Sequence, residues 1–169
     1  MSGSPLLMCK LLVVQIISTR KPYFDSTRET WHIPQIKRSR PPLVCSLVWL
    51  QGTVRELLDS NQFILDDATG CMRIQYQDEQ DSKSATNRPK VGQLVAVIGK
   101  LKQPDDTHSA WQVIAKTVIQ LTLETPMDNA GSSSAYSEQT SQFAISELSW
   151  PLEVCDMADH FYSAVISNS

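Results

Sequence analysis

The chain has 169 residues, of which 41% are hydrophobic, and a formal net charge of −3. This length suits one domain with tails, and no apolar stretch approaches the ~18 residues that a membrane-spanning helix requires. The four cysteines and three histidines occur singly, whereas zinc sites need closely spaced ligand pairs, so we expect neither a metal nor a cofactor.

The charge is distributed unevenly along the chain. Residues 1–42 hold seven Lys/Arg and two Asp/Glu, residues 43–123 hold eight and nine, and residues 124–169 hold none and seven. The basic N-terminal segment is either a solvated tail or an arm that binds nucleic acid or an acidic partner. Because seven cations spread over 42 residues form no dense cluster, the solvated tail is the favoured interpretation.

Residues 1–42 form an N-terminal extension that we expect to pack partly on the domain that follows. Their apolar run MCKLLVVQII predicts a strand or a short helix, which periodicity cannot distinguish over so few residues. The next stretch, RKPYFDSTRETWHIPQIKRSRPP, contains prolines, charges and isolated aromatic residues. This composition predicts a loop.

Residues 43–123 carry the patterns of five β-strands. The first, LVCSLVWLQGTVREL, is long and alternating, and Gly52 within it predicts a bulge or sharp bend. The runs NQFIL and CMRIQY flank DDATG, which predicts a hairpin. Asp66 and Asp67 could be imagined as catalytic carboxylates, but in a tight turn before Thr-Gly they are typical turn formers.

The last two strands complete the pattern. QLVAVIGKLKQ is almost continuously apolar, as a strand that is central or buried on both faces would be. WQVIAKTVIQLTL places Lys116 on its outer face, and strict alternation assigns its other face to Trp111, Val113, Ala115, Ile119 and Leu121. Five strands with a broken first strand predict an all-β, five-stranded Greek-key barrel, the OB-fold. A generic small barrel or sandwich with the same strand count is the alternative.

Residues 124–147 are rich in Ser and Gly and poor in large apolar residues, so we expect a flexible linker. Residues 148–169 predict a C-terminal α-helix, with Pro151 tolerated in its first turn. Its apolar stripe comprises Trp150, Val154, Met157, Phe161 and Val165, and Leu152 widens it. The helix could dock on its own barrel or on another chain. Because a helix that only plugs its barrel needs no long tether, we predict that it packs mainly against a helix of a partner subunit.

No motif of an enzyme occurs in the sequence. The phosphate loop and the G-x-S-x-G and H-E-x-x-H signatures are all missing. Binding of single-stranded nucleic acid needs a basic groove with exposed aromatic rings, whereas Phe63 and Tyr76 fall on the core-facing sides of their strands. We therefore expect a protein that is not an enzyme and has weak or no intrinsic DNA binding.

Four stretches in this order, VWLQGTV, VGQLVAVIGKLKQ, QVIAKTVIQLT and WPLEVCDM, resemble the RecQ-mediated genome instability protein 2 family. SPLL near the start and Trp31 also fit the N-terminal segment of that family. The resemblance implies a non-catalytic OB-fold subunit in the nucleus. Its implied partner-binding residues are Lys10, Trp49, Lys116 and Trp150, to which the helical stripe adds Leu152, Val154, Met157 and Phe161.

The resemblance also implies the partners. Such proteins pair directly with RecQ-mediated genome instability protein 1. The pair joins the Bloom helicase and topoisomerase III alpha, which dissolve double Holliday junctions in DNA repair, and it receives a peptide from a Fanconi anemia helicase.

A second family is also similar to this chain. The middle subunit of replication protein A and its telomeric relative Stn1 share a D-D-x-T turn, matched by Asp66, Asp67 and Thr69, and an L-E-V helix after a linker. This resemblance implies a single-stranded DNA-binding subunit. The Trp49-Leu50-Gln51-Gly52 stretch favours the first family.

Overall fold

A computed structural model describes residues 7–76, 88–106, 109–121 and 149–158 of the chain. Its elements in chain order are β1 (Met8–Lys10), α1 (Val13–Ile17), β2 (Tyr23–Asp25), β3 (Thr30–Ile33), β4 (Leu43–Cys45), β5 (Leu47–Leu57), β6 (Gln62–Asp66), β7 (Cys71–Tyr76), β8 (Leu94–Lys102) and β9 (Gln112–Gln120). A final helix, α2, covers residues 149–158. No helix within these described ranges has the length and apolarity to cross a membrane.

Strands β5 to β9 close into a barrel. Their hydrogen-bonded order is β5-β6-β7-β9-β8, and β8 pairs again with β5. Only the pairing of β7 with β9 is parallel within this ring, which is the Greek-key connection of an OB-fold. The predicted fold class is therefore confirmed. The central position predicted for the fourth strand is also confirmed, because β8 pairs with strands on both sides.

The long strand β5 serves two pairings, as a small barrel requires. The register with β6 shifts between Val54 and Glu56, so the bulge lies at Arg55 and not at Gly52. Gly52 has another role, because a Cβ there would collide with the backbone carbonyl of Asp66. The glycine therefore allows two strands to approach closely, and the predicted bulge at that position is wrong.

A second bulge lies in β9 at Lys116. Ile98 pairs with Thr117 while Gly99 pairs with Ala115, so one residue of β9 has no opposite partner. An extra residue reverses the alternation beyond it. Val118 consequently packs against the core, whereas Ile119 and Leu121 are exposed. Their assignment to the inner face is wrong for this reason.

The N-terminal segment is an integral part of the molecule. β1 runs parallel to the start of β5, with Lys10 opposite Trp49, and α1 follows it, so the apolar run contains both a strand and a helix. The stretch predicted as a loop instead contains β2 and β3, which form a three-stranded sheet with β4. The Asp25 carboxylate stabilises the turn between β2 and β3, accepting hydrogen bonds from the backbone N–H groups of Thr27 and Arg28.

One hydrophobic core joins these parts. The inward residues of the barrel, including Phe63, form a single buried cluster with residues of α1 and the small sheet. From the N-terminal segment this cluster takes Cys9, Leu11, Val13, Ile16, Trp31 and Ile33, and from β4 it takes Leu43 and Cys45. The hydrogen bond with Cys9, and then burial, raise the pKa of the Cys45 thiol, so it remains a protonated packing group.

The predicted linker, residues 124–147, lies outside the described residues. Helix α2 packs on its own chain, where Trp150 and Val154 join Leu12 in a second buried cluster beside Trp49. The prediction that the helix packs mainly against a partner is therefore wrong for these two residues. Trp150 is a large indole, and Leu12 and Trp49 supply an apolar surface within reach that buries it.

Candidate functional site

Four side chains from three elements meet on the outside of the barrel. The Lys10 ammonium lies 4.6 Å from the centroid of the Trp49 ring and 5.2 Å from that of Trp150. It also forms an ion pair of 2.8 Å with Glu153 of α2. The two indole rings are 6.1 Å apart and tilted by 43°. Lys10 is therefore held by one carboxylate and two aromatic faces.

Local sequence explains why these residues meet. Trp49 alternates with the core residues Val48 and Leu50, so its side chain faces away from the barrel interior. The parallel register places Lys10 of β1 beside it. On α2, Trp150 and Val154 are one helical turn apart, and this face contacts the barrel.

The N–H groups of the two indole rings make no hydrogen bond with the described residues. The Nε1 atoms of Trp49 and Trp150 are both buried, and neither has an acceptor among the described residues. Buried donors are normally paired, and an unpaired one costs about 1–3 kcal/mol. The cluster therefore contains two donors that an acceptor could satisfy.

Lys116 lies on the same side of the barrel. In the strand registers, Lys10 of β1 lies opposite Trp49 of β5, and Trp49 lies opposite Ile98 of β8. Ile98 in turn lies opposite Thr117 of β9, which is next to Lys116. Neighbouring strands are about 4.8 Å apart, so Lys116 is about 10 Å from β5. Its side chain is exposed, and it forms no ion pair with another described residue. The structure thus places Lys10, Trp49 and Trp150 in mutual contact, with Lys116 two strands away from β5 on the same side of the barrel.

The helical stripe divides into two faces. Trp150 and Val154 are buried against the barrel, whereas Leu152 is 72% exposed and Met157 is half-buried. Phe161 lies outside the described residues. Within α2, Leu152 is the large apolar residue that this packing leaves in water.

Sequence reasoning missed three contributors to the site. Glu153 binds Lys10, Leu12 covers the indole cluster, and Arg40 donates a hydrogen bond of 2.9 Å to the backbone carbonyl of Ala158 in α2. The opposite charges of the two ends of the chain were the signal that could have found Glu153 and Arg40.

The chemistry of the site is that of binding. A lysine, a carboxylate and two indoles suit packing and charge pairing with another macromolecule. In the part of the chain that the structure describes, no three His, Cys, Asp or Glu side chains form a group that could hold a metal ion. The interpretation of Asp66 and Asp67 as turn formers is confirmed, because the Oδ1 atom of each accepts backbone N–H bonds within the turn.

Comparison with known proteins gives one family and several structures. The family model described as RecQ-mediated genome instability protein 2 matches residues 7–128. A search of curated protein sequences finds no significant match. One similar structure is the Stn1–Ten1 complex of S. pombe, with 18% identity over 63% of this chain and 77% of that chain and a TM-score of 0.35. Another is a replication protein A heterotrimer bound to single-stranded DNA, with 12% identity over 87% of this chain and 97% of that chain and a TM-score of 0.46. A third is Rim1, a mitochondrial single-stranded DNA-binding protein of S. cerevisiae, at 14% identity over 47% and 97% with a TM-score of 0.37.

Proposed function

Because this chain belongs to the RecQ-mediated genome instability protein 2 family, we propose that it is a non-catalytic subunit that pairs directly with RecQ-mediated genome instability protein 1. Through this pair it stabilises the assembly of the Bloom helicase with topoisomerase III alpha in the nucleus. The assembly dissolves double Holliday junctions, and the pair receives a peptide of a Fanconi anemia helicase. The coarser assignment, an OB-fold protein of genome stability, follows from the family and the strand order.

The observation that carries the proposal is the outer face defined by Lys10, Trp49, Trp150 and Lys116. Trp150 anchors this face within the chain, Trp49 is only partly buried beside it, and Lys116 is exposed. Tryptophans supply much of the binding energy at protein interfaces, and charged residues set their charge complementarity. The exposed Ile119 lies beyond Lys116 on the same strand, the exposed Leu121 follows the end of that strand, and both extend this face with apolar surface. A partner that covers this face would bury the apolar area of Ile119 and Leu121.

In this proposal α2 has two roles. Trp150 and Val154 hold the helix on the barrel, and Leu152 and Met157 are presented to the partner. The helix thus becomes a ridge on the binding face, fixed in orientation by the Lys10–Glu153 ion pair. Phe161 extends the same stripe in sequence and is included among the proposed partner-binding residues.

The test is a calorimetric titration of the full chain with the C-terminal barrel of the proposed partner. Lys116→Ala should weaken binding by more than about 1 kcal/mol, as expected for a residue at an interface hot spot. It should leave Tm unchanged, because the side chain is exposed and pairs with no described residue. Lys21→Ala, which removes an exposed lysine outside this face, is the matched control and should bind as the unmodified chain does.

Two results would argue against the proposal. If the folded chain gives no detectable heat of binding, the proposed direct pairing with the partner is contradicted. Equal affinity for Lys116→Ala and the unmodified chain would keep the pairing but exclude this face of β9 from it.

A further inference from the structure

The small N-terminal sheet carries a stacked pair of rings on one face. Tyr23 of β2 and His32 of β3 are paired in register, and their rings are 4.4 Å apart and inclined by only 12°. Tyr23 is 57% exposed, and β2 is the edge strand of its sheet. The histidine ring therefore fixes the orientation of a phenol ring whose surface remains largely in water.

Basic residues lie at one end of this pair. Arg20 donates a hydrogen bond of 2.6 Å to the backbone carbonyl of Gln35, which brings residues 18–22 and 34–42 side by side. These two stretches contain five Lys/Arg and no Asp or Glu. Arg40 contacts α2, and the other four, Arg20, Lys21, Lys37 and Arg38, are exposed. Folding thus brings the cations of two separate stretches to the same end of the small sheet.

The distance between the ring and the nearest lysine suits a nucleotide. Lys21 and Tyr23 are both exposed and flank the buried Pro22, so they lie on one face, about 7 Å apart along an extended chain. The neighbouring acidic residue, Asp25, already accepts two backbone hydrogen bonds in its turn. A base stacked on Tyr23 would therefore place an adjoining phosphate within reach of Lys21.

We propose that this face, defined by Tyr23, His32, Arg20, Lys21, Lys37 and Arg38, binds single-stranded nucleic acid. A single strand is required because only an unpaired base exposes its flat surface to a ring. An acidic peptide would satisfy the cations but would make no use of an ordered, exposed aromatic stack. The surface lies outside the barrel and outside the proposed partner-binding face, so it does not depend on the proposed pairing.

The experiment measures fluorescence anisotropy of a labelled oligo(dT) with the full chain at several salt concentrations. Tyr23→Ala should reduce affinity about tenfold, the usual effect of losing one base-stacking ring, whereas Tyr23→Phe should retain it. Lys21→Ala should lower the slope of log affinity against log salt by about 0.7, as expected for one lost phosphate contact. Lys100→Ala, which removes an exposed lysine of β8 that belongs to neither proposed face, is the matched lysine control and should change neither quantity.

An abasic oligonucleotide of the same length separates stacking from charge. It should bind more weakly than oligo(dT), and its affinity should be the same for Tyr23→Ala and the unmodified chain. Failure to bind oligo(dT), or equal affinity of Tyr23→Ala for it, would overturn the proposal. So would a polyglutamate peptide that competes as well as the nucleic acid, since the face would then be a site for acidic proteins.

Discussion

Asp67 connects the barrel to the segment that precedes it. Its Oδ1 atom accepts bonds from the backbone N–H groups of Thr69 and Gly70 and from the Thr69 hydroxyl, and its Oδ2 atom accepts the Val13 N–H at the start of α1 at 2.7 Å. The Thr69 hydroxyl oxygen accepts the next N–H, that of Val14. The β6–β7 turn thus satisfies two N–H groups at the beginning of a helix whose N-cap residue, Leu12, has no acceptor in its side chain.

Removal of this carboxylate should destabilise the whole fold. Asp67→Ala leaves buried donors unpaired, and we expect the free energy of unfolding to fall by about 3 kcal/mol. Asp66→Ala is the control, because the half-buried Asp66 carboxylate accepts one hydrogen bond within its own turn and forms an ion pair of 3.5 Å with the exposed Arg55. Its removal should cost about 1 kcal/mol, since exposed ion pairs contribute little. Urea unfolding of both variants measures the difference, and similar losses would show that Asp67 is no more than a turn former.

The hydroxyl of Tyr76 is buried without a hydrogen-bond partner among the described residues, and its ring packs 5.6 Å from that of Phe63. Burial raises the pKa of Tyr76 to about 12, above the usual value of about 10 in an unfolded chain. The folded state therefore favours the neutral phenol. Its contribution to stability is complete below about pH 10 and is lost as the pH rises towards 12.

Tyr76→Phe should consequently resist alkali better than the unmodified chain. The variant has no phenol to ionise, so its stability should decline less between about pH 10 and 12. At neutral pH it should be at least as stable, because it removes an unpaired buried hydroxyl. Urea unfolding at a series of alkaline pH values checks this, and parallel declines for the two chains would contradict it.

At the scale of elements, α2 combines folding and recognition. Trp150 and Val154 are 2% and 1% exposed, whereas Leu152 is 72% exposed. The first pair contributes to the stability of this chain, and Leu152 is free of that role. A single helix therefore offers variants that separate the two properties.

We expect Trp150→Ala to lower the free energy of unfolding by about 3 kcal/mol, because it removes a buried indole. Leu152→Ala should leave Tm unchanged and weaken partner binding by about 1 kcal/mol or more. Thermal melts and calorimetric titrations of both variants test this. If Trp150→Ala melts as the unmodified chain does, the docking of α2 on its own barrel contributes nothing to stability.

At the scale of the whole molecule, the hydrophobic core extends beyond the five barrel strands into the N-terminal segment. α1 and the small sheet contribute to the same buried cluster as β5 to β9. A chain reduced to residues 43–169 would expose the apolar surface that this segment covers. It would also lose the hydrogen bond that the Val13 N–H of α1 donates to the Asp67 carboxylate.

We therefore expect the 43–169 chain to lose the cooperative thermal transition of the full chain, as a domain without part of its core does. Circular dichroism melts measure this directly. Adding back residues 1–42 as a separate peptide should restore part of the transition. A sharp, unchanged melt of the 43–169 chain would show that the N-terminal segment is an accessory layer.

The sequence by itself determined the five barrel strands and the beginning of the C-terminal helix. The predicted first strand was too long, because its residues 43–45 form β4 of the small sheet and β5 begins at Leu47. These elements have local signals: the alternation in CMRIQY, the apolar run of β8 and the turn residues of DDATG. Each signal depends only on residues a few positions apart, so it can be recognised in the sequence without the fold. The same local logic placed Phe63 and Tyr76 on the core side, where the structure has them.

Only the tertiary structure decided the rest. β2 and β3 are strands because β4 pairs with β3 across intervening prolines and charges, and the single extra residue at Lys116 turned Ile119 outward. Trp150 packs on Leu12 although more than a hundred residues separate them. In each case the outcome depends on which distant surfaces meet, and a hydrophobic side chain specifies that it must be buried without specifying where.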